Sequence, residues 1–315
     1  VAALLLRRFA GLVVTLLLTS AAIFAALDVL PGDPAAVMLG TAARPDTLAA
    51  LRAEMGLDRP APLRYAAWLG GAVTGHLGTS TTYGVPVAGL VADRLAVTLP
   101  LALVALALAV GAALPLGVAA AARRGGALDA AAAVFAQGTT AVPGFWIGLL
   151  LVLLFAVRLG WMPAGGFPGW AGGATPALRA LLLPAIALAL PQAGVLTRVA
   201  RGAMLDALGE DFIRTARAKG LRPRTVLWRH ALRNALPAIL TVLGLQLSFL
   251  VAGAVLVETV FALPGLGRLA VQAFAQRDAV VVQDVVLLLA AFVILVNFAV
   301  DLAGLALDPR QRDAA

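Results

Sequence analysis

The sequence predicts an all-α, polytopic membrane protein, and three observations carry that prediction. The 315 residues are 62% hydrophobic and only 13% charged, with a mean hydropathy of +0.97. A water-soluble domain of this length could not cover its surface with so little polar material. Six apolar stretches reach the length of about 20 residues that a helix needs to cross a hydrocarbon core roughly 30 Å thick. The basic residues cluster in the gaps between those stretches, and with the first residues taken as inside, 15 of the 24 fall on the inner side.

The first stretch, Phe9–Leu30, follows Arg7 and Arg8. It exceeds the apolar run of about 7–15 residues typical of a signal peptide, so an uncleaved first helix is expected. The next segment, Pro31–Arg94, is the one sizeable polar piece. Asp46 is placed to cap a short helix whose Leu48, Leu51 and Met55 share a face, and Gly56 is placed to end it. Tyr65, Trp68, Leu69 and Val73 form a stripe suited to a membrane–water boundary. The chain thus divides into 1–94, a first span with an outer segment, and 95–315, a five-helix core.

The remaining spans are Leu95–Ala122, Ala130–Val157, Leu178–Leu196, Ala235–Val257 and Val285–Leu307. Pro143 interrupts the third, and Pro184 and Pro191 the fourth. Such prolines are tolerated where neighbouring helices satisfy the freed backbone groups. Nine of the 24 basic residues fall outside, five of them in Pro31–Arg94. Long translocated segments largely escape the charge rule. Both termini are therefore expected inside.

Several functions are excluded by what the chain lacks. It has no Cys, which removes disulfide, thiolate-metal and Cys-nucleophile chemistry. The two histidines, His76 and His230, stand far apart, so no metal site or other cofactor is expected. The single lysine, Lys219, lies between Ala218 and Gly220, so the Gly-Lys-Ser/Thr of a phosphate-binding loop is missing. Ser20, Ser80 and Ser248 sit in no nucleophile elbow, and Ser80 and His230 are expected on opposite membrane faces. The net charge of +8 reflects Arg on the inner side and does not point to nucleic acid.

The loop 198–234 is the most informative segment. Asp211 suits a helix N-terminus and Lys219 a C-terminus. Gly220 suits the left-handed position after a helix and Pro223 the first turn of the next. A short helix is expected, lying across the membrane surface between two spans. On physics alone it could equally bind anionic lipid or a protein partner.

Asp211-Phe212-Ile213-Arg214-Thr215-Ala216-Arg217-Ala218-Lys219-Gly220-Leu221 and Arg229-His230-Ala231-Leu232-Arg233-Asn234-Ala235 resemble the coupling loop of binding-protein-dependent ABC importer permeases. The likeness is to the dipeptide/oligopeptide/nickel branch. The broad family signature is Glu-Ala-Ala-x3-Gly; aligned on Gly220, this chain has Arg214-Thr215-Ala216 instead. Further matches run along the chain: Leu30-Pro31-Gly32-Asp33-Pro34-Ala35, Gly56-Leu57-Asp58-Arg59-Pro60, Gly78-Thr79-Ser80, Pro191-Gln192, Thr197-Arg198, Glu258, Pro264-Gly265-Leu266-Gly267, Arg277-Asp278 and Asp308-Pro309-Arg310. His76 and Val280 depart from the usual Asp and Pro.

The resemblance implies the type I ABC importer permease fold, in the cytoplasmic (inner) membrane. It implies that Asp211, Arg214, Thr215, Ala216, Arg217, Ala218, Lys219, Gly220 and Leu221 couple the chain to an ATPase. The implied partners are a second permease subunit, two cytoplasmic ATP-binding subunits and an extracytoplasmic solute-binding protein. The chain itself would be no enzyme. Polar residues at membrane depth are costly, which makes Gln137, Thr140, Gln192, Gln246 and Asn297 candidates for a translocation pathway, with Thr139, Thr241, Ser248 and Asp301 beside them. The same residue types also hydrogen-bond helix to helix. The solute stays open among di- or oligopeptides, nickel chelates, glutathione and oligosaccharides. A proton- or sodium-driven transporter would instead favour a deep acid and inverted repeats; Asp28 and Asp301 lie near span ends.

Overall fold

A computed structural model describes residues 2–29, 34–40 and 43–307. The Leu30-Pro31-Gly32-Asp33 and Asp308-Pro309-Arg310 motifs fall outside the described residues. Among those described, the chain forms helices α1 (Ala2–Val29), α2 (Pro34–Leu39), α3 (Pro45–Glu54), α4 (Ala61–Thr74), α5 (Val87–Ala122), α6 (Ala127–Ala141) and α7 (Gly144–Leu151). It continues with α8 (Ala174–Gly209), α9 (Asp211–Ala218), α10 (Pro223–Thr225), α11 (Leu232–Val260), α12 (Leu266–Ala275) and α13 (Ala279–Leu307). Two π-helical stretches, Val152–Arg158 and Val226–Ala231, extend α7 and join α10 to α11. Five helical segments are long and apolar enough to cross a membrane, and six if α6 and α7 count as one span.

Their outward side chains suit hydrocarbon, not water. Leu6, Val14 and Leu18 on α1 are 69%, 53% and 67% exposed. Large contiguous apolar patches of that kind mark a lipid or protein partner.

The third expected span is the one that changes shape. α6 and α7 meet at 98°. Val142 (φ −104°, ψ 127°) and Pro143 (φ −58°, ψ 137°) are both extended, the conformation that steric conflict with the proline ring favours for the preceding residue. Pro184 and Pro191 lie inside α8 without ending it, and Pro100 and Pro115 do the same in α5. Two shorter expectations also need correction. Arg44, not Asp46, is the N-cap of α3, with Asp46 in the first helical turn. Tyr65 and Trp68 face Phe24 of α1, with ring centroids 5.5 and 6.2 Å from it, so much of the aromatic stripe is intramolecular packing.

The described chain separates into two compact units. One comprises Leu99–Leu263 and the helix from Val296 onward. Its centre is α8, which packs on α6, α7 and α11 and buries sixteen residues along its length. Small residues set the spacing: a Cβ on Gly117 would stand 2.7 Å from the Ala200 Cβ, and one on Gly194 would stand 2.9 Å from the Ala136 carbonyl oxygen. Such close approach drives helix association where no hydrophobic effect acts between helices.

The other unit comprises Ala2–Thr98 and Pro264–Leu295. Val87, Val91, Leu266, Leu269, Ala273, Val281, Val282 and Val285 form its core. Ser80 Oγ donates to Asp278 Oδ2 at 2.5 Å, and the Thr82 amide donates to the same oxygen at 3.0 Å. The Val281 amide donates to Oδ1 at 3.3 Å. Burial alone would raise the Asp278 carboxyl, but these donors outweigh it and hold it below the usual carboxylate range.

Candidate coupling site and membrane pathway

The loop 198–234 contains the short helix its sequence predicts. Glu210, extended at φ −74° and ψ 151°, is the N-cap of α9, and Asp211 stands in the first turn, where an acid favours the helix dipole. The end is a Schellman turn. The Gly220 amide bonds the Arg217 carbonyl at 2.9 Å and the Leu221 amide bonds the Ala216 carbonyl at 3.3 Å. Gly220 makes this possible with φ +74°. Pro223 then opens the next helix at its first position.

α9 has two faces. Ile213 and Ala216, three residues apart, are buried among Val118 and Ala121 of α5, Ala200, Met204 and Ala207 of α8, Val226, Ala231, and Ala235 and Ile239 of α11. Burying Ile213 contributes about 1.5–3 kcal/mol by removal from water. The size of Ala216 fits its role, since a longer side chain would push α9 off this floor. Phe212, Arg214, Thr215, Arg217, Ala218, Lys219 and Leu221 are exposed. Arg214 pairs with Asp211 at 2.9 Å, but both side chains lie largely in solvent, so the pair adds little. The helix is thus a rigid outward surface fixed to the ends of three long helices.

One ion pair near this region lay hidden in the sequence. The Arg201 guanidinium on α8 donates through Nε to Asp129 Oδ1 and through Nη2 to Asp129 Oδ2, the latter at 2.8 Å. The Gly125 amide donates to Oδ2 as well, at 2.9 Å.

The pathway candidates sit on four helices, α6, α8, α11 and α13. Gln137 and Thr140 are exposed on α6, with the Thr140 hydroxyl bonded back to the Ala136 carbonyl at 2.8 Å. Gln192 is half-buried beside Pro191, and Gln246 is 4% exposed. Asn297 Nδ2 donates to Ser248 Oγ across α13 and α11 at 3.4 Å. This contact joins the two helices. Ser80, weighed as a nucleophile, has Asp278 as its partner, and no group of three or more His, Asp or Glu side chains among the described residues could hold a metal ion.

The fold and this surface helix define a class: an integral membrane protein with a short helix fixed between two helices long enough to span. Residues 113–313 match the family described as binding-protein-dependent transport system inner membrane component, and residues 1–102 match that family's N-terminal membrane component. The chain belongs to this family. It is 39% identical over 308 residues to a probable peptide ABC transporter permease protein of Sinorhizobium fredii, with 98% of each chain covered. It is 41% identical over 310 residues to a putative peptide transport system permease protein of Brucella abortus, covering 98% of this chain and 99% of the relative. The di/tripeptide transport system permease protein of Pseudomonas aeruginosa is 40% identical over 328 residues, with 97% of each covered. Among solved structures, a chain of the inward-facing methionine ABC transporter MetNI superposes with a TM-score of 0.57 at 23% identity, covering 70% of this chain and 96% of its own. That likeness gives the fold: the type I ABC importer permease.

Proposed function

We propose that this chain is one permease subunit of an ATP-driven importer of peptides. The observation that carries the reading is α9, whose Ile213 and Ala216 are buried against α5, α8 and α11 while Phe212, Arg214, Thr215, Arg217 and Lys219 remain outward. A partner that moves this surface moves the ends of three long helices with it. In the proposed assembly a second permease subunit, two cytoplasmic ATP-binding subunits and an extracytoplasmic binding protein complete the transporter. The two ATPase states contact α9 differently, and that difference alone biases the permease between inward- and outward-open arrangements. Gln137, Thr140, Gln192, Gln246 and Asn297 remain the proposed pathway residues. The segment 1–94 is proposed as a first span with an outer cap and 95–315 as the core, with both termini and the loop 198–234 in the cytoplasm of an inner membrane.

Peptides are favoured because the names of near-full-length relatives specify peptides or di/tripeptides. The test is uptake of labelled di- and tripeptides by cells carrying or lacking this chain with its partner subunits. Uptake lost on deletion and restored by the chain supports the reading; unchanged peptide uptake with loss of nickel uptake contradicts it. Orientation is tested separately. Single cysteines at Ala43 and Arg222, in this Cys-free sequence, should react with an impermeant reagent from opposite sides.

A further inference from the structure

α10, the π-helical turn and α11 form one helical segment, Pro223–Val260, of 38 residues. About 20 residues suffice to cross the hydrocarbon, and the apolar part begins at Ala235. The preceding turns must therefore emerge through the headgroup layer, a band about 5–8 Å deep on each side of the core. At about 1.5 Å per residue, Arg233 stands about 3 Å outside the core edge and Arg229 about 9 Å, just beyond the headgroup layer but within reach of it for a long arginine side chain. Trp228 lies one residue further out.

These side chains are presented, not used. Arg222, Arg224, Arg229 and Arg233 are all exposed, and Trp228 is 42% exposed. Residues 222–234 contain no Asp or Glu. Among the described residues none of the four arginines makes an ion pair, in contrast to Arg201 and Arg214. The π-helical turn Val226–Ala231 widens the helix here, burying Val226 and Ala231 while Trp228 and Arg229 stay outside. A π turn of this kind often accompanies a functional site.

From this arrangement we infer that Arg229 and Arg233 form a binding site for the headgroup of an anionic phospholipid. Guanidinium groups bind phosphate oxygens bidentately. The adjoining α9 keeps its own basic face, Arg214, Arg217 and Lys219, for the ATPase, so lipid and protein partner take neighbouring surfaces. The inference goes beyond the proposed transport reading and rests only on this helix entering the bilayer near Ala235.

The test uses the full chain purified in non-ionic detergent. Native mass spectrometry counts retained phosphatidylglycerol for the wild type, for Arg229→Gln with Arg233→Gln, and for Arg229→Lys with Arg233→Lys. The glutamine pair should lose at least one retained phosphatidylglycerol per chain, and the lysine pair should keep it. Arg214→Gln with Arg217→Gln should leave lipid retention unchanged. Equal phosphatidylglycerol retention by the wild type and the glutamine pair would overturn the inference. So would a glutamine pair that keeps its lipid but no longer binds the ATP-binding subunits, because the patch would then belong to a protein.

Discussion

Asp129 and Arg201 lie 72 residues apart in sequence, yet Arg201 grips both carboxylate oxygens of Asp129 and so ties the start of α6 to the part of α8 that leads into α9. The carboxylate side chain is only 9% exposed, and the Gly125 amide completes its shell. A bidentate Arg–carboxylate pair fixes geometry as well as charge. Any motion of α9 that travels along α8 must carry α6 along or break this pair.

Removing either member should therefore destabilise the chain, and removing both should cost less than the two effects combined. Asp129→Asn and Arg201→Met are each expected to lower the melting temperature in detergent, and the double variant should melt near the worse single variant. A double variant whose loss equals both single losses added together would show that the two side chains do not act as a unit.

Gly244 marks a second contact set by size. A Cβ there would stand 2.7 Å from Val300 Cγ1 and 2.8 Å from Val300 Cβ, so α11 and α13 touch backbone to side chain. Gly244→Leu should overpack this contact and cost about 1–3 kcal/mol. Gly244→Ala should cost less, and Val300→Ala should relieve part of the cost by removing the two γ-methyls while leaving the Cβ at 2.8 Å. Thermal melts of the four combinations check the order; an unaffected Gly244→Leu would place the helices further apart than described.

The Asp278 carboxylate gives a pH dependence with a definite sign. Its folded-state pKa is lowered, so ionised Asp278 contributes stability that is fully present above the unfolded carboxylate pKa of about 3.9 and is lost as pH falls below that, through the lower folded-state pKa. The melting temperature of the wild type should drop on acidification. Asp278→Asn should start lower at neutral pH and drop less, because the amide cannot lose a charge. Parallel curves for the two proteins would remove Asp278 as a contributor.

What could be read from the sequence follows a physical pattern. The spans and the α9 boundaries are local: apolar length, an acid at the start, Gly220 at the end. The 98° break at Pro143 was not readable, because Pro184 and Pro191 have the same chemistry and remain inside one continuous helix. Only Val142 adopting an extended conformation distinguishes the site. The contacts Asp129–Arg201 and Ser80–Asp278 join residues 72 and 198 apart, and no periodicity reports such pairs. The left-handed turn at Arg277 was equally hidden, since its φ of +57° belongs to a residue type that rarely adopts it. The Asn297–Ser248 hydrogen bond between α13 and α11 was equally beyond what polarity at membrane depth reports.

The central claim is that this chain converts the ATPase cycle of partner subunits into helix motion through α9. Its most direct test is ATP hydrolysis measured for the purified chain alone, then with its ATP-binding subunits and second permease, then with solute-loaded binding protein. Gly220→Val serves as the coupling variant. No side chain lies within 4 Å of the Cβ position of Gly220, so the substitution acts through its φ of +74°, at a cost of about 1 kcal/mol or more. The chain alone should show no hydrolysis above a mock preparation. The assembled wild type should hydrolyse ATP and be stimulated by the loaded binding protein, and Gly220→Val should keep its place in the membrane but lose that stimulation. Hydrolysis by the isolated chain, or full stimulation with Gly220→Val, would contradict the account.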